Sequence, residues 1–253
     1  MESIILFSLI VVILLILPVA IIVFYGFAVY HSVSAFSKMV YRSISLTLAS
    51  SFLTGVITVV LFTPLAYFLS RTKSFALDTL VDLPVSVPHP IIGIGLLLLD
   101  SPVTPIGRFL LSIGINFFDT LTGLIAALIL VSAPIYIRSI QTYFEGINID
   151  REIYAMGLGL SKFKILWKII VPTSIRQIVS SCLISVGRAM SEFGSIAIVA
   201  FYIISPPFKG TEPASILIYE DYGYYGPEIA VTISALLIIV AIPIMITARI
   251  ITR

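Results

Sequence analysis

From Ser43 to Ser70 the chain runs without one charged side chain, and Arg71 and Lys73 close the run. Crossing a bilayer as a helix takes about 20 apolar residues, so this segment constrains the class of the whole chain. In hydrocarbon every backbone N–H and C=O must be satisfied within the segment or by its protein neighbours, which favours helices. Composition agrees: of 253 residues, 59% are hydrophobic and 11% charged, where a soluble domain carries about 25% charged residues. The expectation is an all-α membrane protein, residues 1–253 forming a single transmembrane domain.

Six spans are expected. The first is Ile4 to Phe24, with Pro18 inside it; the apolar run goes on to Ser37, with Tyr30 and His31 near the water. No basic segment precedes it and it is too long for a signal peptide, so it reads as a retained span. The second is Ser43 to Ser70. The third, Leu83 to Leu99, is broken by Pro84, Pro88, Pro90, Gly93 and Gly95, because proline removes a helix hydrogen bond and kinks the axis. Irregular backbone at membrane depth survives where protein or a water-lined cavity satisfies it. Pro88, His89 and Pro90 are therefore candidates for a pathway-lining or gating position, the alternative being a kinked packing helix. Asp100 to Asp119 is an irregular excursion, Thr120 to Ile137 the fourth span, Ile175 to Ile203 the fifth, Ser205 to Pro227 a loop, and Glu228 to Ala248 the sixth span.

An even number of spans puts both termini on one side. The loops after spans two and four and the C-terminus hold Arg71, Lys73, Arg138, Arg151, Lys162, Lys164, Lys168, Arg176, Arg249 and Arg253, ten cations against the four on the other side, Lys38, Arg42, Arg108 and Lys209. The excess of Lys and Arg marks the cytoplasmic side. Both termini and the loop 139–175 are accordingly expected in the cytoplasm, and the acidic stretch with Glu212, Glu220 and Asp221 outside.

Inside the fifth span Arg188 and Glu192 stand four residues apart and share a helix face. Intramembrane charges pair with each other or line a pathway, and both readings stand for this pair. Gly187, Ala189, Ser191 and Gly194 around them permit close helix approach. His89 has no His, Cys or acidic pair at ligand spacing and reads as a hydrogen-bonded or packing histidine, with no metal expected. Cys182, the only cysteine, cannot form an internal disulfide. There is no HExxH, no GxSxG and no glycine-rich phosphate loop ending in Lys-Ser or Lys-Thr. The chain is not expected to be an enzyme, and any ATP must be consumed by another subunit.

The main polar interruption is DREIYAMGLGLSKFKILWKIIVP, Asp150 to Pro172. Asp150 is placed to cap a short helix and Glu152 to favour its first turn. Ile153, Met156 and Leu160 recur at helical spacing, while Ala155, Gly157 and Gly159 keep the surface low and Gly159 ends the helix. Ser161 can cap a second helix with an apolar stripe of Ile165, Leu166 and Ile169, and Pro172 suits the start of the next. The alternative is an amphipathic connector on the membrane surface, with Lys162, Lys164 and Lys168 toward the headgroups.

This loop resembles the cytoplasmic loop of ABC importer permeases, E-A-A-x-x-x-G followed after nine residues by I-x-L-P. Gly159, Ala155, Ile169, Val171 and Pro172 fall on that pattern. Ile153 stands at the Glu position and Tyr154 at the first Ala, with the acid one residue earlier as Glu152. LPVSVPHPIIGIGLLLL at Leu83–Leu99 and GRFLLSIGINFFDTLTGLIAA at Gly107–Ala127 are similar to segments of permeases for molybdate, tungstate and sulfate. Arg188-Ala-Met-Ser-Glu192-Phe193-Gly194 is similar to their R-x-x-G-E-F-G, with Ser191 in place of the first Gly.

The resemblance implies the permease fold and a molybdate/tungstate importer of the cell membrane, a sulfate or thiosulfate permease being the alternative; an ATP-independent channel or carrier and an intramembrane enzyme are remoter readings. It implies a homodimer of this chain, two ATPase subunits that bind ATP and Mg, and an extracytoplasmic oxyanion-binding protein, with no cofactor in this chain and no nucleic acid. Asp150, Arg151, Glu152, Ile153, Tyr154, Ala155, Met156, Gly157, Leu158 and Gly159 would form the coupling helix seated on the ATPase.

Overall fold

The computed structural model describes residues 1–72 and 74–252, with only the backbone of Glu2 and Ser3; Lys73 and Arg253 of the charge count lie outside the described residues. The described chain is helical, in this order: α1 Glu2–Phe24, α2 Lys38–Arg71, α3 Phe75–Ser86, α4 His89–Leu99, α5 Pro105–Ser112, α6 Leu121–Glu145, α7 Asp150–Gly157, α8 Lys162–Ile165, α9 Val171–Thr173, α10 Ile175–Met190, α11 Ile196–Val199, α12 Ala214–Tyr225 and α13 Pro227–Ile251. α1 continues through a π turn, Tyr25–Tyr30, and a second π turn, Leu166–Ile170, joins α8 to α9.

Four of these helices are long and apolar enough to cross a membrane singly. Two bent pairs, α3 with α4 at 103° and Lys162–Thr173 with α10 at 82°, bring the number of candidate spans to six when each pair is counted as one. α2, at 34 residues, is about 51 Å long at 1.5 Å per residue, and the bundle is assembled along it. It packs on α6 and α10, α10 packs on α6 and α13, and α1 lies against α13. Ser43, Thr47, Ser50, Ser51, Thr54 and Thr58 of α2 are buried. Their small side chains let neighbouring helices come close, as suits packing in lipid, where apolar side chains alone give no preference for protein over solvent. Gly55 marks a close approach of α2 to α10: a Cβ there would stand 2.6 Å from Val186 Cγ2 and 3.1 Å from Cys182 Sγ. α1 presents apolar side chains on every face, as a lipid-facing span does.

The structure corrects several boundaries. The third span begins at Phe75 rather than Leu83, since Asp78 and Asp82, which end the apolar pattern, are both paired with Arg138 of α6. Its break falls at Val87–Pro88, and Pro84 is carried inside α3. The fourth span runs on to Glu145, so the polar loop starts after residue 145 rather than at 139. The fifth ends at Met190, not Ile203, with a turn over Ser191–Ser195 before α11. The stretch Ser205–Pro227 is not all loop: it contains α12, closed by Gly226 at φ +84°. The Asp100–Asp119 excursion is as expected, with α5 as its short apolar segment. Asp100 Oδ2 accepts the N–H groups of Phe117 and Phe118 at 2.9 and 3.0 Å and folds the excursion back.

The two ends of α2 carry different attachments. At the Arg71 end, Tyr67, Tyr136, Ile140 and Phe144 form one apolar cluster with Ala155, Ile165, Leu166 and Ile170 of the polar loop. At the Lys38 end, Val40 and Ile44 pack with Ala214, Leu217 and Ile233. α7 and α12 thus lie at opposite ends of the bundle.

Candidate functional site

At the Arg71 end α7 is held onto the bundle by a carboxylate. Glu152 is 4% exposed. Its Oε1 accepts from Arg71 Nε at 3.0 Å and NH2 at 2.6 Å, and its Oε2 accepts from Tyr67 Oη at 2.5 Å. Arg71 also donates to the Phe144 carbonyl at 2.7 Å, at the end of α6. One guanidinium therefore ties together α2, α6 and α7. A buried ion pair bonded at both carboxylate oxygens fixes geometry more than it adds stability.

With Glu152 and Ala155 turned inward, the rest of α7 faces out. Asp150, Arg151, Ile153, Tyr154, Met156, Gly157, Leu158 and Gly159 are exposed, Leu158 at 83%. Of the strip predicted from spacing, Ile153 and Met156 are on the outer face, whereas Leu160 packs against the apolar cluster at the Arg71 end. Asp150 does not cap the helix. The N-cap position is Ile149, and Asp150 N–H donates to Asn148 Oδ1 at 2.9 Å, so an Asn two residues earlier supplies the acceptor. α7 ends at Gly157, and Gly159 at φ +84° turns the chain. Ser161 Oγ does accept from Lys164 N–H, at 3.4 Å, and Ile165 and Leu166 are buried in the bundle rather than resting on a membrane surface. Pro172 lies in α9, one turn before α10 starts at Ile175. A recess of about 350 Å³ between α7 and α2 is lined by Tyr67, Arg71, Glu152, Met156 and Phe163.

A second group gathers where two spans are interrupted. Glu192 is 1% exposed. Its Oε1 accepts Ser195 N–H and Ser195 Oγ, each at 2.8 Å, which pins the turn after α10. Its Oε2 lies 3.1 Å from Arg188 NH2 and 2.9 Å from His89 Nδ1. Arg188 NH2 is 3.0 and 3.1 Å from the two ring nitrogens of His89, so the guanidinium lies close to the imidazole and both meet the same carboxylate. Gly194 permits this: a Cβ there would stand 3.0 Å from His89 Cβ and 3.1 Å from Pro90 Cδ. The sequence placed Arg188 with Glu192; the structure adds His89 from the start of α4 and leaves Pro88 and Pro90 as its exposed flanks. Discontinuous helices meeting at charged groups mark substrate routes in transporters, and Arg188 and His89 keep part of their surface open. The sequence reading missed Arg71 and Tyr67 as partners of Glu152. The available signal was a cation closing a span, with a lone acid later in the same polar end of the bundle.

Among the described residues no group of three His, Cys, Asp or Glu side chains could hold a metal ion. What the two groups can do is hold a helix rigidly and present charge in a helix break. A family model described as binding-protein-dependent transport system inner membrane component matches residues 63–253. A molybdate/tungstate transport system permease protein WtpB of Thermococcus kodakarensis is 29% identical over 214 residues, 83% of this chain and 78% of that protein. A sulfate transport system permease protein CysT of Synechocystis sp. is 27% identical over 201 residues, 78% of this chain and 69% of that one. Among solved structures, a chain of a bacterial ABC transporter that imports the acidic polysaccharide alginate superposes with a TM-score of 0.69 at 21% identity, over 98% of this chain and 93% of its own.

Proposed function

The chain belongs to the family of inner-membrane components of binding-protein-dependent transport systems, and from that premise we propose that it is the permease subunit of an ATP-driven importer of molybdate and tungstate. It is a multi-pass membrane transport subunit and not an enzyme. Hydrolysis belongs to a partner ATPase, which binds ATP and Mg; two such subunits, a second copy of this chain and an external oxyanion-binding protein complete the importer. The Arg71 end is cytoplasmic, because Arg71, Arg138, Arg151, Lys162, Lys164, Lys168, Arg176 and Arg249 collect there.

The observation that carries the coupling reading is the Arg71–Glu152–Tyr67 group. It holds α7 as a rigid body with an exposed face of Ile153, Tyr154, Met156 and Leu158. α7 seats on the ATPase through this face. Closure of the ATPases on ATP moves α7, and the bundle has two arrangements that the nucleotide state biases. Glu192 holds Arg188 and His89 in place at the broken helices.

The test is to purify the chain with its ATPase after shortening the loop across Ala155–Gly159. Loss of ATPase binding and stimulation is expected, and their persistence overturns the coupling role. The cargo is tested separately, since sulfate permeases are among the relatives. Uptake of molybdate by the reconstituted importer should resist excess sulfate, and preferred sulfate uptake would assign it to the sulfate class. Flux in liposomes without any ATPase would favour a channel or carrier instead.

A further inference from the structure

The limb of chain that leads into α10 keeps an outer face that the bundle does not use. Lys162–Thr173 meets α10 at 82°, so beside a spanning α10 it runs close to the plane of the bilayer surface. Its inner side, with Ile165, Leu166 and Ile170, is buried. On its outer side Lys162, Phe163, Lys164, Trp167 and Lys168 are exposed. Phe163 and Trp167 meet edge to face, their ring centroids 6.2 Å apart. Among the described residues none of the three lysines has an ion-pair partner. Lysines and aromatic rings on one face of a limb lying in the surface plane suit the headgroup level of a bilayer, where tryptophan is enriched.

Beside this limb the recess between α7 and α2 runs from hydrocarbon depth to the surface. Pro64, Phe68 and Arg71 line it from α2, and Pro64 to Arg71 covers about 10 Å along the helix axis. Pro64 and Phe68 belong to the charge-free run, so the inner part of the recess is apolar. Lys162 and Arg71 make its mouth basic, and Phe163 and Leu166 form the facing wall. Glu152 balances Arg71 but does not exhaust it. Of the five N–H groups of a guanidinium, four are committed to Glu152, Ser70 and the Phe144 carbonyl, which leaves one terminal N–H.

We propose that this recess binds one acidic phospholipid from the leaflet at the Arg71 end. The phosphate takes the Lys162 ammonium and the remaining N–H of Arg71, and the first part of an acyl chain lies over Phe68, Pro64 and Leu166. A small soluble anion would use the mouth and leave the apolar part wet. A zwitterionic lipid brings its own cation to a rim that already carries three unpaired lysines, whereas an acidic one compensates them. Basic pockets between spanning helices at a bilayer surface hold such headgroups. Met156 of α7 also borders the recess, so the lipid sits between α7 and the span. This goes beyond the transport reading: the composition of the leaflet becomes a determinant of how firmly α7 is held.

Trp167 is the only tryptophan of the chain and stands beside the site, so its fluorescence reads occupancy. The full chain is placed in phosphatidylcholine nanodiscs in which a small fraction of the lipid carries brominated acyl chains, either phosphatidylglycerol or phosphatidylcholine. Brominated phosphatidylglycerol should quench Trp167 well above the same fraction of brominated phosphatidylcholine. Lys162→Gln should lower that preference about fivefold, the equivalent of about 1 kcal/mol for one basic residue at a charged bilayer surface, and Lys162→Arg should keep it. The comparison of the two lipids needs no variant, so a poorly folding substitution does not decide the matter. Equal quenching by both lipids overturns the inference. Relief of the quenching by millimolar inorganic phosphate would make this a site for free phosphate and overturns it too. In the assembled importer, native mass spectrometry should find phosphatidylglycerol retained through detergent in the wild type and lost in Lys162→Gln. Its absence from an assembly whose isolated permease holds it would assign the recess to the ATPase and overturn the proposal.

Discussion

Replacing Glu152 with alanine should detach α7 from the bundle without unfolding it. The substitution removes two bonds from Arg71 and one from Tyr67. These act as one unit, so their separate contributions of about 1.5–3 kcal/mol per charged bond do not add. Breaking a buried pair from one side costs about 3–5 kcal/mol. Arg71 is 15% exposed and keeps the Phe144 carbonyl, which puts this case at the lower bound, about 3 kcal/mol. At about 1.4 kcal/mol per tenfold, local opening of α7 becomes roughly a hundredfold more frequent. Hydrogen exchange followed by mass spectrometry reads this directly: amides of Asp150–Leu160 should lose roughly a hundredfold of protection. Peptides of α13, which does not touch this group, should keep theirs. Glu152→Gln, which retains an acceptor for Tyr67 and one for Arg71, should fall between. Equal protection over α7 in wild type and Glu152→Ala would refute the claim that this carboxylate holds the helix.

Gly55→Val should cost about 1–3 kcal/mol through overpacking against Val186 and Cys182, read as a lower melting temperature in detergent, with Val186→Ala restoring part of it; no change would mean that α2 and α10 are not in contact there. Arg188→Ala leaves Glu192 buried beside His89 with its main cation gone and should lower assembly by about 3–5 kcal/mol equivalent, seen as reduced yield of folded chain; normal assembly with selectively lost anion flux would make Arg188 a pathway residue instead. Glu212 has its carboxyl pushed up to about 7 by burial and then by Glu220 and Asp221. The folded protein therefore holds this proton where the unfolded chain has released it, so the contribution is full below the ordinary carboxylate range and is lost as pH rises through about 7. The melting temperature of wild type should decline from pH 5 to 8 more steeply than that of Glu212→Gln, and parallel curves would count against the buried-acid reading.

Hydropathy was sufficient to find the spans because each must satisfy its own backbone. Pro88 placed the break between α3 and α4, and Gly159 and Ser161 punctuated the loop as they read. What stayed hidden depended on partners far along the chain. The charges Asp78 and Asp82 argued against a span until Arg138, on another helix, neutralised them. Ser74 Oγ accepting from Leu77 N–H was a readable start signal for α3 that those charges obscured. Glu152 looked like a surface acid offered to a partner, and no local pattern could reveal that Arg71, 81 residues away, turns it inward. His89 likewise finds Arg188 at a separation of 99 residues. α12 was hidden by its own composition, since tyrosines and acids in sequence give no apolar period.

The long second helix is also a lever. It touches α7 through Arg71, lies close against α10 at Gly55, and receives the N–H of Ala214, at the start of α12, on Thr47 Oγ1 at 2.8 Å. With Gly55 as fulcrum, the arm to Arg71 is about 24 Å and the arm to Thr47 about 12 Å, from 16 and 8 residues at 1.5 Å each. A displacement of α7 carried rigidly by α2 therefore reaches the other end of the bundle halved and reversed in direction.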